Sequence, residues 1–272
     1  MNELPIGTMI LDHAPEHFYP YVDFMASIGM TCAQICRVTD DLTTNKAESD
    51  RLIGYLRDKG IAPLSIFLHT RARDGGNSLV SMPERPARMV SACRQMAWGS
   101  RYGVKYISCH VGIFPKADTA EYDAWIADMQ ELIRFAGDMG EFFLFETGPE
   151  AAEDLERALT AIGEKNAGIN FDPANLLWYN KTEPAIFAEK LFPWFRLVHC
   201  KDAVRPLPGE EYGHETVLGE GGTHFFELLE SLLAKNFRGP LIIEREIPFG
   251  EERCRDLTNA SAKLAALRKK FI

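Results

Sequence analysis

The stretch Leu241-Ile242-Ile243-Glu244-Arg245-Glu246 reads as a short apolar strand that ends on a carboxylate. An apolar run without alternation marks a strand buried on both faces, as in parallel sheets covered by helices. Three earlier apolar runs also end on an ionisable side chain: Phe142-Phe143-Leu144-Phe145-Glu146, Ala167-Gly168-Ile169-Asn170-Phe171-Asp172 and Arg196-Leu197-Val198-His199. Any one of these residues alone is best read as a helix cap or an arginine partner. Four at matching places on successive strands predict a shared site.

The rest of the chain repeats the same unit. Strands are expected over 8–13, 32–38, 63–69, 106–111, 142–146, 167–172, 196–199 and 240–246. Helices are expected over 15–29, 47–59, 84–102, 119–139, 151–162, 184–191, 223–235 and 251–271. Trp125, Met129, Leu132, Ile133 and Ala136 recur at helical spacing, as do Met89, Val90, Cys93 and Ala97, and Phe226, Leu229 and Leu233. The first set shares one helix face, and the last is spaced to face a core. Gly60 and Gly103 stop their helices. Eight strand–helix units without a linker predict an α/β (β/α)₈ barrel, one domain over residues 1–272. An open doubly wound sheet would place a glycine-rich phosphate turn after its first strand. Asp12-His13-Ala14-Pro15-Glu16 is no such turn.

Composition narrows the function. The chain has 272 residues, 46% hydrophobic and 25% charged, with a net charge of −9. That charge repels a phosphate backbone, so no nucleic-acid partner is expected. No apolar run approaches the ~20 residues of a membrane span, and Met1-Asn2-Glu3-Leu4-Pro5 does not resemble a signal peptide. Cys32, Cys36, Cys93, Cys109, Cys200 and Cys254 form no Cys-x-x-Cys pair. They are expected to be reduced thiols of a cytoplasmic protein.

In barrels of this kind chemistry gathers at the C-terminal ends of the strands. Those ends carry His13, Arg37, His69, His110, Glu146, Asp172, His199 and Glu244. Three carboxylates and an imidazole converging would repel one another without a cation. Oxygen ligation with one nitrogen suits Mn²⁺, Mg²⁺ or Co²⁺. Lys201 shares strand parity with His199, and Glu246 with Glu244, so both are expected to point towards the site. His110 is expected to hydrogen-bond a sugar oxygen, with His13 and His69 as further substrate contacts. Trp178 and Tyr179 are candidates to wall the pocket. Gly219, Gly221 and Gly222 suit a turn with positive φ or a phosphate cradle, and Arg71 and Arg73 could meet a phosphate. Asp202 could anchor a loop. His214 and His224 read as surface or capping residues.

Five stretches together resemble the xylose isomerase-like TIM barrel superfamily, in its sugar (phosphate) isomerase/epimerase branch: Phe145-Glu146-Thr147-Gly148-Pro149-Glu150, Asn170-Phe171-Asp172-Pro173-Ala174-Asn175, His199-Cys200-Lys201-Asp202, Leu218-Gly219-Glu220-Gly221 and Ile243-Glu244-Arg245-Glu246. The resemblance covers nearly the whole chain. It implies that Glu146, Asp172, His199 and Glu244 bind one divalent ion, most often manganese, with magnesium or cobalt as alternatives. It implies a small-molecule keto sugar or oxidised sugar as substrate, and a metal-bound cis-enediolate with Glu146 and Glu244 as the two acid/bases. Relatives of this kind often form dimers or tetramers, so a homo-oligomer is expected. Arg205 matches a substrate-gripping arginine of the epimerases. Asn175 stands where ketose 3-epimerases usually carry a substrate-holding histidine, and Ala152 where they carry a glutamate. The Glu-Thr-Gly and Asp-Pro-Ala-Asn pattern is more similar to a branch acting on 3-keto sugars and inososes. An inosose-type dehydratase or lyase on the same metal site is the alternative. An apurinic-site endonuclease would need more than seven histidines and a basic groove. A non-catalytic sugar binder would hold no metal.

Overall fold

The computed structural model describes residues 4–69, 79 and 84–271, so Arg71, Arg73 and the glycines at 75 and 76 lie outside the described residues. The barrel strands are β1 (Ile6–Ile10), β2 (Cys32–Ile35), β3 (Ala62–Phe67), β4 (Tyr106–Cys109), β5 (Phe142–Glu146), β6 (Ala167–Phe171), β7 (Phe195–Cys200) and, after a small hairpin of β8 (Asp202–Val204) and β9 (His214–Thr216), β10 (Leu241–Ile243). They close in the order β1-β10-β7-β6-β5-β4-β3-β2, every pair parallel. β1 and β10 seal the barrel through Gly7 opposite Ile242. A Cβ on Gly7 would lie 2.0 Å from the Cys32 carbonyl oxygen, so only glycine permits β2 to approach this closely.

Helices α1 (Pro15–Ser27), α2 (Asp40–Thr44), α3 (Lys46–Asp58), α4 (Arg85–Arg101), α5 (Ala120–Asp138), α6 (Ala152–Ile162), α7 (Pro173–Trp178), α8 (Pro184–Leu191), α9 (Phe225–Ala234) and α10 (Glu251–Phe271) cover the sheet. The main core lies between strands and helices and includes Trp125, Phe143, Phe145 and Phe171. A second, smaller apolar cluster of Met9, Cys32, Leu144, Leu197 and Ile242 fills the barrel itself.

The period of two along each strand then orders the interior in layers. Above Leu144, Leu197, Ile242 and Cys32 in this inner cluster stand Glu146, His199, Glu244 and Gln34, each two residues further along its chain. An apolar plug thus underlies a polar layer, which faces the mouth.

The structure departs from the sequence reading at several elements. On α4 the buried residues are Arg88, Ala92, Gln95, Met96, Trp98 and Gly99, while Val90 is 53% exposed. Met89 and Cys93 pack on the edge of the core, and the 89/90/93/97 positions border an outer groove with Leu132 and Phe135 of α5. On α9, Phe225 is buried, and Phe226 only packs on the edge of the core. The expected 8–13 and 240–246 strands are shorter, because their polar ends leave the ladder at the barrel mouth. The helices α2 and α7 and the β8–β9 hairpin are additions within segments read as loops. No described helix is long and apolar enough to cross a membrane.

Candidate metal centre

β5, β6, β7 and β10 deliver Glu146, Asp172, His199 and Glu244 to one point. One ligand atom from each lies within 4.8 Å of all the others, and all four residues are buried. His199 Nδ1 stands 2.7 Å from Glu146 Oε1, 2.7 Å from Glu244 Oε2 and 3.9 Å from Asp172 Oδ2. Nδ1, Asp172 Oδ2 and Glu244 Oε2 are buried and make no well-formed hydrogen bond.

Each ligand is aimed by its neighbours. Asp172 caps α7, its Oδ1 accepting from the backbone N–H groups of Ala174 at 2.8 Å and Asn175 at 3.1 Å. Pro173 at the first helical position makes this a strong start signal. Capping takes Oδ1 and leaves Oδ2 turned to the cluster. The Thr147 hydroxyl ties the strand ends together, donating to Asp172 O at 2.7 Å and accepting from its N–H at 2.8 Å. His199 Nε2 lies 2.9 Å from Gln34 Oε1, which can only accept, so Nε2 carries a proton and Nδ1 is the ring atom turned to the carboxylates. Gln34 is itself held by donation to Ser65 Oγ at 2.9 Å. The amide of Asn170 lies 2.9 Å from Nε2 and 2.9 Å from Ser108 Oγ. Such outer partners fix a ligating imidazole.

The outward oxygen of each glutamate faces a cation. Glu146 Oε2 lies 2.8 Å from His110 Nε2, and Glu244 Oε1 accepts from Lys201 Nζ at 2.9 Å. Lys201 also donates to Glu246 at 2.6 Å. Burial works against charging these groups, but the electrostatics override it at Glu146, Glu244, His199, His110 and Lys201. His110 and His199 together hold Glu146 below the usual carboxylate range, Lys201 and His199 do the same for Glu244, and the two glutamates raise His199 to about 10. Burial pushes Asp172 up to about 7, helped by Glu244 and Glu146. The cluster therefore draws positive charge into its centre, and three oxygens with one nitrogen fit a divalent ion.

A cavity of about 500 Å³ adjoins the cluster and is lined by Glu146, Glu244, His110 and His69, with Phe67 and Met9 as apolar wall. His69 is positioned through backbone hydrogen bonds to the Gln95 amide at 2.8 and 3.0 Å. The other expected substrate contacts are placed differently. Asn175 donates to Thr147 O at 3.0 Å, binding α7 to the end of β5. Arg205 is engaged by Asn180, the Lys181 carbonyl and Glu183, all in the segment after α7. His13 is partly buried near Arg37, and its Nε2 has no hydrogen-bond partner. The Trp178 and Tyr179 rings both pack on Tyr212.

The glycine loop after β9 is no phosphate cradle: it wraps a carboxylate of this chain. Asp202 accepts from the N–H groups of Gly219, Gly221 and Thr223 and from the Thr223 hydroxyl. A Cβ on Gly221 would fall 2.2 Å from Asp202 Oδ1. Gln34 and Asn170 were missed in the sequence. Their signal is parity: Gln34 is two residues from Cys36 at the mouth, and Asn170 two residues before Asp172.

The sequence profile of the xylose isomerase-like TIM barrel family matches residues 22–269. The chain belongs to this family. Among solved structures it is similar to a xylose isomerase domain protein from Planctomyces limnophilus, with 26% identity and a TM-score of 0.88 over 99% of this chain and 98% of that one. It is also similar to a xylose isomerase-like TIM barrel protein from Mycobacterium smegmatis in complex with magnesium (16% identity, TM-score 0.75, 97% and 98% covered). A third is a D-tagatose 3-epimerase-like protein (20% identity, TM-score 0.75, 98% of each chain). At such identities the last two establish likeness of fold alone. Among curated proteins no sequence matches.

Proposed function

We propose that this chain is a divalent-metal-dependent sugar epimerase or isomerase acting on a keto sugar or oxidised sugar derivative. One observation carries the reading. Two buried glutamates on strands separated by β6 and β7 reach the same imidazole nitrogen at 2.7 Å, and each has its second oxygen against a separate cation.

A bound divalent ion supplies Lewis-acid stabilisation to the negative charge that develops on the substrate carbonyl oxygen. Glu146 and Glu244 do the proton work. Both are held ionised by their neighbours, so either can act as base. One carboxylate takes the proton from the carbon next to the carbonyl, and the C–H electron pair moves into a planar enediolate. The other returns a proton to the opposite face and inverts the centre. His110 and Lys201 steady the two carboxylates and supply positive charge as it is needed. Phe67 and Met9 help keep bulk water from the planar species. Similarity to a D-tagatose 3-epimerase-like protein supports the keto-sugar assignment. Manganese is our preferred ion, and six free thiols suit a reducing cytoplasm.

The test is deuterium incorporation from solvent into keto sugars, 3-keto sugars and inososes with Mn²⁺ supplied. The expected result is exchange without mass loss, abolished by Glu244→Gln. Exchange accompanied by loss of water would assign the dehydratase chemistry instead. Full activity in Glu244→Gln would refute the two-glutamate mechanism.

A further inference from the structure

The cavity that exposes Glu146 and Glu244 is also lined by Arg37 and Arg253. Its carboxylates all have cationic neighbours within the chain: Glu146 has His110 and His199, Glu244 has His199 and Lys201, and Glu246 has Lys201. Arg245, a third guanidinium of the wall, is clamped by Glu215 and Asp256, each at 2.9 Å. Arg37 and Arg253 differ from it: among the described residues neither forms an ion pair.

Arg253 rises from the first turn of α10 and is 7% exposed. Its Nε is buried without a hydrogen-bond partner, and its described hydrogen bond runs from Nη1 to Ile247 O at 3.5 Å. The Tyr21 ring lies 5.7 Å from its guanidinium carbon, which softens its burial without neutralising it. Arg37 follows β2 with φ at 53°, a left-handed backbone that a long side chain rarely adopts. Strain of that kind is retained where the surroundings hold a side chain in a particular direction. Cys36 lies within electrostatic reach of both arginines and both glutamates, so the two charged poles share one small space.

A buried guanidinium without a counter-charge is costly, and its planar fork matches a carboxylate or phosphate. The chain carries −9 overall, so the attraction here is local. We infer that the substrate is an anionic keto sugar, its carboxylate or phosphate gripped by Arg37 and Arg253 while its carbonyl end meets Glu146 and Glu244. This rests on the function proposed above and deepens it.

D-fructose, D-fructose 6-phosphate and D-fructuronate share a keto end and differ at carbon six. Titrating each into the magnesium-loaded protein by calorimetry separates the anion from the sugar, and phosphate from carboxylate. The expected result is that one anion binds at least about tenfold tighter than D-fructose, the advantage shrinking as salt rises. Arg37→Gln, at an exposed position, and Arg253→Gln each reduce the ratio several-fold. Arg253→Lys, which keeps the charge and loses the fork, retains part of it if packing is intact. Equal affinity for all three sugars, no binding of either anion at millimolar concentration, or a preference that survives both substitutions would overturn the inference. Binding needs no proton transfer. Anion preference without exchange would sink only the epimerase reading, and exchange on neutral ketoses without anion preference would sink only this one.

Discussion

Replacing Gln34 by leucine removes the acceptor that holds His199 with little change in volume. Gln34 is fully buried, and its Oε1 lies 2.9 Å from His199 Nε2. The substitution strands a buried N–H, which costs about 1–3 kcal/mol, and frees the ring to turn its lone pair away from the carboxylates. A flip of the Asn170 amide, which brings its unpartnered Oδ1 to the place now held by Nδ2 at 2.9 Å from the same nitrogen, can take over part of the role. The expected loss is therefore near the lower end, about 1.5 kcal/mol, or roughly tenfold in metal affinity, within the 10–100-fold range for partners of metal-ligating imidazoles. Competition against a chelating indicator with Mn²⁺ measures it directly. Gln34→Leu combined with Asn170→Leu should fall by a further order of magnitude, since no acceptor then remains. Ser65→Ala, which removes only the hydroxyl behind Gln34, should change affinity by less than about threefold. An unaltered affinity in the double variant, with folding intact, would refute the idea that these amides set the ligand geometry.

Metal affinity should rise with pH. His199 is raised to about 10 without an ion, so at neutral pH an entering ion displaces its proton; that weakens binding by about tenfold per pH unit lowered, and more steeply below pH 7, where Asp172 also carries a proton to displace. Titration at pH 6, 7 and 8 checks the slope. Glu141 is 1% exposed, neither carboxylate oxygen has a hydrogen-bond partner, and burial pushes its pKa up to about 8 against a pull from Lys105. Its contribution is intact below the unfolded value of 4.5 and is lost as pH rises through 8, so Glu141→Gln should be the more stable form at pH 9 by on the order of 3 kcal/mol and show no advantage at pH 4. Urea denaturation at both pH values separates the two cases. Asp202→Ala removes the acceptor of the 219–223 loop and should cost about 2–4 kcal/mol, with faster hydrogen exchange at Gly219 and Gly221. Unchanged protection of those amides would contradict the clamp.

What could be read from the sequence follows from which residues break a local pattern. Glu146, Asp172, His199 and Glu244 each end a run of apolar residues, where burying a charge demands a partner, so they stand out. Gln34, Ser65, Ser108 and Asn170 lie within strands as single polar residues, and only the closed barrel turns them into a floor beneath His199. Arg253 follows Glu244 by nine residues but lies in the first turn of the closing helix α10, where a lone arginine breaks no pattern. The capping of α7 by Asp172 was written in Asp172-Pro173, but its six-residue length gives no periodicity to detect. On α4 the apolar positions do not mark the buried face: Val90 and Ala97 are exposed beside the outer groove, whereas Arg88 and Gln95 are buried. The hairpin of β8 and β9 is only three residues a strand and leaves no periodicity to read, whereas the expectation that Asp202 anchors a loop holds, with the glycine amides closed around its carboxylate.

Manganese bound per chain is the most direct check on the central claim that Glu146, Asp172, His199 and Glu244 hold one ion. Elemental analysis after loading and gel filtration should give one manganese per chain in the native protein and close to none in Asp172→Asn, with circular dichroism unchanged. A native protein that retains no divalent ion, or an Asp172→Asn protein that retains a full equivalent, would contradict it.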